Sequence, residues 1–245
     1  MKLPNDNDND NNHDYHDNSQ ITSYWYLRNA IGWIGLLMPT WVKFGAYFRE
    51  DIGFLTSISA YYYTSMRDVF VATLVLVGVL LACYRTDKLS DNIVAFIAGL
   101  AGVGVGLFPM DPQYAEVLIN KHPCLQTNTC YLGIGVLGFH IYFAAIFFAL
   151  TFYMVFFRFG ANTKPTPTAQ KLTRNKLYKI CGAVMFVSFL AIAYMRYTHN
   201  PNIYLPETLA TLAFATAWLV KGQAIVWDPE NKPTIVAKIQ DMGAK

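Results

Sequence analysis

Six apolar blocks, each long enough to cross a lipid bilayer, constrain this 245-residue chain more than any other feature. The hydrocarbon core of a bilayer is ~30 Å thick and a helix rises ~1.5 Å per residue, so about 20 mostly apolar residues make one crossing. Backbone polar groups inside that core must be satisfied within the segment, which selects helices. Barrel strands would be shorter and would alternate, and these blocks do neither. They lie at 29–48, 68–84, 91–110, 132–157, 177–195 and 206–227. Charge is scarce enough to permit them, at 14% of residues against the ~25% usual in soluble domains. The expected fold is all-α, a polytopic integral membrane bundle of about six spans. Residues 1–23 form a polar tail, 24–228 the membrane domain and 229–245 a cytoplasmic tail.

Orientation follows from the basic residues, which accumulate on the cytoplasmic side. With both termini inside, only Lys43, Arg49, Arg67, Lys121 and Arg196 fall outside, leaving fourteen of the 19 within. The connection 158–176, RFGANTKPTPTAQKLTRNK, is the most basic and reads as a cytoplasmic linker. The cysteines agree with this orientation. Cys124 and Cys130, in CLQTNTC, fall in an outer loop, where an oxidising exterior favours a disulfide over two free thiols. Cys83 and Cys181 fall near the inner ends of their spans, where thiols stay reduced.

The opening NDNDNDNNHDYHDN is too polar to bury a core and is expected to be disordered. Its spaced aspartates resemble the start of a calcium loop, but Asn11 stands at the glycine position and Asp17 where the bidentate glutamate belongs. No cleavable signal peptide is expected, because no basic start precedes a short apolar stretch. GIGVLG at 133–138 has the glycine spacing of dinucleotide-binding folds without the preceding strand. Close helix packing explains it better, as it does Gly99, Gly102 and Gly106 on one face of the third span. Nothing in the composition or the net charge of +3 suggests nucleic acid as a partner.

Chemistry concentrates in and around SISAYYYTSMRD, residues 57–68, a stretch too short to cross and expected to lie in the interface or re-enter. With this topology the outer half of the bundle carries Ser57, Ser59, Tyr61, Tyr62, Tyr63, Arg67, Asp68, Asp111, His140, Arg196, His199 and Glu207. Most have an ordinary structural explanation. Asp68 and Glu207 stand in first turns, where the helix dipole favours an acid, and Ser65 with Asp68 reads as a capping box. Pro206 suits the first position of a helix. Arg196 suits a helix C-terminus, and the tyrosines suit an aromatic belt at the headgroups. Lys221 reads as an anchor snorkelling to the inner interface.

Three residues resist such explanations. Asp111 follows the C-terminus of span three and Arg67 precedes the N-terminus of span two, each with a charge that opposes the local dipole. His140 lies eight residues into span four, about 12 Å below the outer surface. An ionisable group at that depth is costly unless it faces a polar partner or water, so His140 should point into the bundle. The expected arrangement is a pocket with hydroxyls and an Arg–Asp pair at its mouth, closed by Asp111 and His140.

RDVF at 67–70, FPMD at 108–111 and the histidine of HIYFA at 140–144 resemble the sparse motifs of a bacterial branch of DRAM-like polytopic membrane proteins. The likeness covers spans two to four and implies about six spans. A more distant similarity is to the alkaline ceramidase and adiponectin receptor superfamily of membrane hydrolases. That resemblance implies zinc-dependent hydrolysis, with Ser59, Asp68 and His140 in three of the family's roles. The departure is the second histidine of its pair, because Ala144 stands four residues after His140.

The leading expectation is a protein without a cofactor that binds a membrane lipid or small amphiphile from the outer side. Ser57, Ser59, Tyr63, Arg67 and Glu207 are its expected contacts. The alternative is a metal-dependent or acid–base lipid hydrolase, with His140, Asp68 and Asp111 catalytic and zinc as a cofactor. A proton-coupled transporter with His140 and Asp111 as relay is the third. The asparagine-rich tail and the lack of eukaryotic targeting signals suit a bacterial inner membrane.

Overall fold

The computed structural model describes residues 7–110, 139–161 and 168–226, with side chains from Ser23 onward. Among the described residues are six helices and no strand. They are α1 (Asn7–Glu50), α2 (Arg67–Cys83), α3 (Leu89–Leu107), α4 (Phe139–Tyr153), α5 (Ala169–Tyr197) and α6 (Tyr204–Lys221). A 3-10 turn, Ser59–Tyr63, lies between α1 and α2, and a π turn, Met154–Arg158, continues α4. α1 extends back to Asn7, into the stretch that composition assigned to the polar tail.

Among the described residues, three helices are long and apolar enough to cross a membrane: α3, α4 with its π turn, and α5. Their length and composition are those of an integral membrane protein. α2 spans 17 residues, about 25 Å at the helical rise. α6 carries Glu207 and Lys221 near its two ends.

Apolar runs, each behind a polar first turn, make up α2 and α3, whose limits fall within three residues of the sequence blocks. Other boundaries moved for identifiable reasons. α5 begins at Ala169 because Thr168 caps it, accepting the Lys171 N–H at 3.2 Å, and its first two turns are charged rather than apolar. α6 begins two residues before Pro206, so that proline occupies the first turn rather than the first position. The Ser65–Asp68 capping box does not form. Met66 is the N-cap of α2 and has no side-chain cap bond. Thr64 turns the chain there instead, its hydroxyl donating to Tyr61 O at 2.8 Å and accepting the Met66 N–H at 3.1 Å. Ser65 N–H is taken by the Glu50 carboxylate. At the end of α5 the chain reverses through His199, at φ 54°, while Asn200 N–H returns to Met195 O at 2.8 Å.

The helices close into a ring: each packs on the next in sequence, and α6 returns to α1. α2 and α3 cross at Gly78 and Gly99. A Cβ on Gly78 would stand 2.6 Å from the Gly99 carbonyl oxygen, so this approach requires glycine. Gly102 and Gly106 meet Phe147 and Leu74, as packing residues on one face should. The short α2–α3 connection is fastened by Asn92, whose Oδ1 accepts the Thr86 N–H at 2.6 Å and whose Nδ2 donates to Thr86 O at 3.0 Å.

Every helix turns large apolar side chains outward, among them Trp41, Leu76, Phe96, Ile146, Val187 and Leu209. Such a surface is unusual in water and ordinary in lipid. The three consecutive tyrosines are not part of it. Tyr61, Tyr62 and Tyr63 are buried inside the ring, which corrects their reading as a headgroup belt. Ile52, Leu55 and Ile58 are buried too and draw the 51–66 segment into the bundle end, tyrosines included.

Candidate functional site

Glu207, in the first turn of α6, holds the 51–66 segment in place. Ser57 Oγ lies 2.8 Å from Glu207 Oε2 and 3.1 Å from Oε1, and Ile58 N–H donates to Oε2 at 2.7 Å. Ser59 N–H in turn donates to Ser57 Oγ at 3.1 Å. The carboxylate thus accepts from a hydroxyl and a backbone amide that would otherwise be buried without partners. Around it the tyrosines are committed to local bonds. Leu55 N–H reaches the Tyr61 hydroxyl at 3.5 Å, and burial pushes this phenol up to about 12, so it stays neutral. Arg67 donates to Tyr62 OH at 2.9 Å with its guanidinium 4.7 Å from the same ring. Tyr63 OH donates to Met110 O.

His140 enters from α4, buried at 6% exposure. Its Nδ1 lies 2.8 Å from the Phe108 carbonyl oxygen, which can only accept. Nδ1 therefore carries the proton, and Nε2 offers a lone pair to Ser59 Oγ at 2.9 Å. This fixes both the tautomer and the ring orientation.

Beside this pair, inside the ring, lies a cavity of about 110 Å³. Its walls are apolar: Phe70, Leu74, Val105, Phe147 and Phe214 among them. Ser59, His140, Glu207 and Arg196 give it one polar end, and Thr73 and Thr211 add hydroxyls. Gly35 of α1 also lines it. Pro39, four residues on, supplies no N–H to the Gly35 carbonyl.

Four of the residues singled out in the sequence meet here: Ser57, Ser59, His140 and Glu207 form one connected end of the bundle. Arg67 and Tyr63 lie on the same segment but bond to Tyr62 and Met110. Asp68 is exposed on α2, does not line the cavity and forms no pair with Arg67 among the bonds of the site. Asp111, Cys124, Cys130 and the 133–138 glycine run lie outside the described residues. Among the described cysteines, Cys83 and Cys181 are free.

Arg196, Thr73 and Thr211 were not in the expected contact set. For Arg196 the signal is its place on the outer side at the end of a span, which the helix dipole also explains. The threonines carried none.

A zinc ion, which the ceramidase-type resemblance implies, does not fit the described residues. His140 has both ring nitrogens engaged, and no group of three His, Cys, Asp or Glu converges among them.

These features define an all-helical protein of membrane type with a polar-ended internal cavity. No protein-family model, curated protein or solved structure matches the chain.

Proposed function

We propose that the protein is a six-span membrane protein, with both termini in the cytoplasm, that binds a lipid or small amphiphile in this cavity from the outer side. The observation that carries the reading is the cavity itself: apolar walls within the ring and four polar side chains gathered at one end. An amphiphile has the same division. Its chain replaces wall-to-void contacts, and its head meets Ser59, His140, Arg196 and Glu207. An enclosed apolar space of ~150 Å³ takes benzene, so about 110 Å³ suits a segment of acyl chain. Excess basic residues at the other end of the ring support the orientation. The test is lipid mass spectrometry on protein purified in mild detergent. Wild type should carry a stoichiometric amphiphile that Ala144→Phe, which fills the cavity, releases. An unchanged lipid complement in that variant refutes the reading.

One contact favours a second reading, acid–base hydrolysis of an ester-bearing lipid. Ser59 Oγ and His140 Nε2, at 2.9 Å, are spaced as nucleophile and general base. Ser59 Oγ would attack the ester carbonyl while His140 takes its proton and returns it to the departing alcohol. Water, activated by the same histidine, would then cleave the acyl-serine to the free acid. A fluorophosphonate probe should label Ser59 in wild type and lose that label in His140→Gln. No label on wild-type Ser59 rejects this chemistry while leaving amphiphile binding intact.

A further inference from the structure

The cavity wall is thick on one side and thin on another. Met38 of α1, Phe70, Thr73, Leu74 and Val77 of α2 and Val105 of α3 line it, and each is at most 8% exposed. Facing the cavity therefore adds little exposure by itself. Ile141 of α4 and Phe189 of α5 line the same space, yet they are 45% and 38% exposed. These two side chains border the cavity and the outer surface at once. Ala144, Ala145 and Phe148 of α4 and Ile192 of α5 complete this part of the wall and are partly exposed as well.

The helices on either side of this thin wall are clamped at only one end of it. Phe152 of α4 stacks on Phe186 of α5 with ring centres 5.5 Å apart, and a Cβ on Gly182 would stand 2.6 Å from the Phe156 ring. One turn nearer the polar end of the cavity, at Phe148 and Phe189, the lining residues begin, and they continue to Ile141 and Arg196. That stretch is two helical turns on each helix, about 10 Å at the helical rise. Outside it, Ile146 of α4 and Phe186 and Leu190 of α5 turn outward, so the gap opens on the apolar surface that faces lipid. The end of the ring offers no comparable way in among the described residues. Ile58 and the three tyrosines are buried there, and the Glu207 bonds hold their segment.

We propose that the cavity takes its ligand sideways from the bilayer, through the gap between α4 and α5 gated by Ile141 and Phe189. The ligand is a two-chain lipid that places one acyl chain inside. This rests on the reading of the cavity as an amphiphile site and names the occupant and its route. A void of about 110 Å³ is smaller than the ~150 Å³ that takes benzene, so it holds part of one chain and not a whole lipid. An open side leaves the second chain in the bilayer. The gap reaches the level of His140 and Arg196, so the headgroup meets the polar end without crossing the ring. Passage requires Ile141 and Phe189 to change rotamer, which exposed side chains do quickly.

The test follows lipid exchange in the full-length protein. Protein in mild detergent is loaded with phosphatidylglycerol, mixed with an excess of the deuterated lipid and sampled over time by native mass spectrometry. Phe189→Ala widens the gap and should shorten the exchange half-time about fivefold. Ile141→Trp narrows it and should lengthen the half-time about fivefold at unchanged final occupancy. Leu76→Trp, on the outward face of α2, should exchange as wild type does. Opposite shifts in the two gap variants separate a gate from a general loss of fold, which would move both the same way. Half-times that are equal in all these proteins, or that move together in the two gap variants, overturn the route and leave the cavity as an amphiphile site. Wild type that retains no phosphatidylglycerol also overturns the proposal, and the co-purified amphiphile then decides the broader reading separately.

Discussion

At one end of the ring Glu207 accepts from Ser57 Oγ and Ile58 N–H, and His140 bonds through both nitrogens, to Phe108 O and Ser59 Oγ. At the other end Arg28 and Lys221 stand beside the rings of Tyr84 and Phe159, which pack edge to face on Trp218, and Asp91 is held by Arg158. The first end is saturated by directional bonds that leave an apolar hollow beside them. The second is held by edge-to-face packing of rings. Saturated polar groups around a hollow suit a ligand that is mostly hydrocarbon, whereas edge-to-face rings make a packed bundle end. The difference teaches that the two margins of one helical bundle can be closed by different means, directional bonds at one and ring packing at the other.

Substitution at the crossing between the two ends should have the largest effect, because both depend on it. Gly99→Leu would drive a side chain into the α2 backbone, where even a Cβ would stand 2.7 Å from Ala82 N. A cost of about 3 kcal/mol is expected, read as a lower melting temperature with amphiphile binding lost. Glu207→Ala should separate the ends. It leaves Ser57 Oγ and Ile58 N–H without their acceptor, at a cost of about 2 kcal/mol. Amphiphile retention should fall while the melting temperature drops less than in Gly99→Leu; unchanged retention would show that Glu207 does not hold the cavity end. Ser59→Ala sharpens the first end alone. His140 keeps its bond to Phe108 and loses a neutral donor, worth about 1 kcal/mol. The smallest effect is a gain. His199→Gly places glycine at the left-handed position that ends α5 and should stabilise by up to about 1 kcal/mol, the relieved left-handed penalty less glycine's entropy cost, without altering either end.

Much of the fold was legible because the bilayer imposes length. α2 and α3 are apolar runs behind a polar first turn, and their limits fall within three residues of the sequence blocks. α5 extends beyond its block because a helix can continue into water on charged turns, which hydropathy does not register. The site was legible in part. His140 was singled out by its depth, and the structure turns it inward as that depth requires. Glu207 was explained by the dipole of its own helix, and its partners, 150 residues away in sequence, left no local trace. Asp68 looked equivalent by the same rule but faces outward. The tyrosines were misplaced because aromatic residues near a span end suit both a headgroup belt and a buried plug; Ile52, Leu55 and Ile58 decide for the plug.

The central claim, that amphiphile enters the ring and does not merely coat it, is tested most directly by photocrosslinking. A lipid with a diazirine on its acyl chain is irradiated with the reconstituted protein, and adducts are mapped by peptide mass spectrometry. The account predicts adducts on Ala144, Phe148 and Phe214, which line the cavity, competed by unlabelled lipid. Adducts confined to outward-facing side chains such as Phe96 and Phe186, with none on the cavity wall, would contradict it.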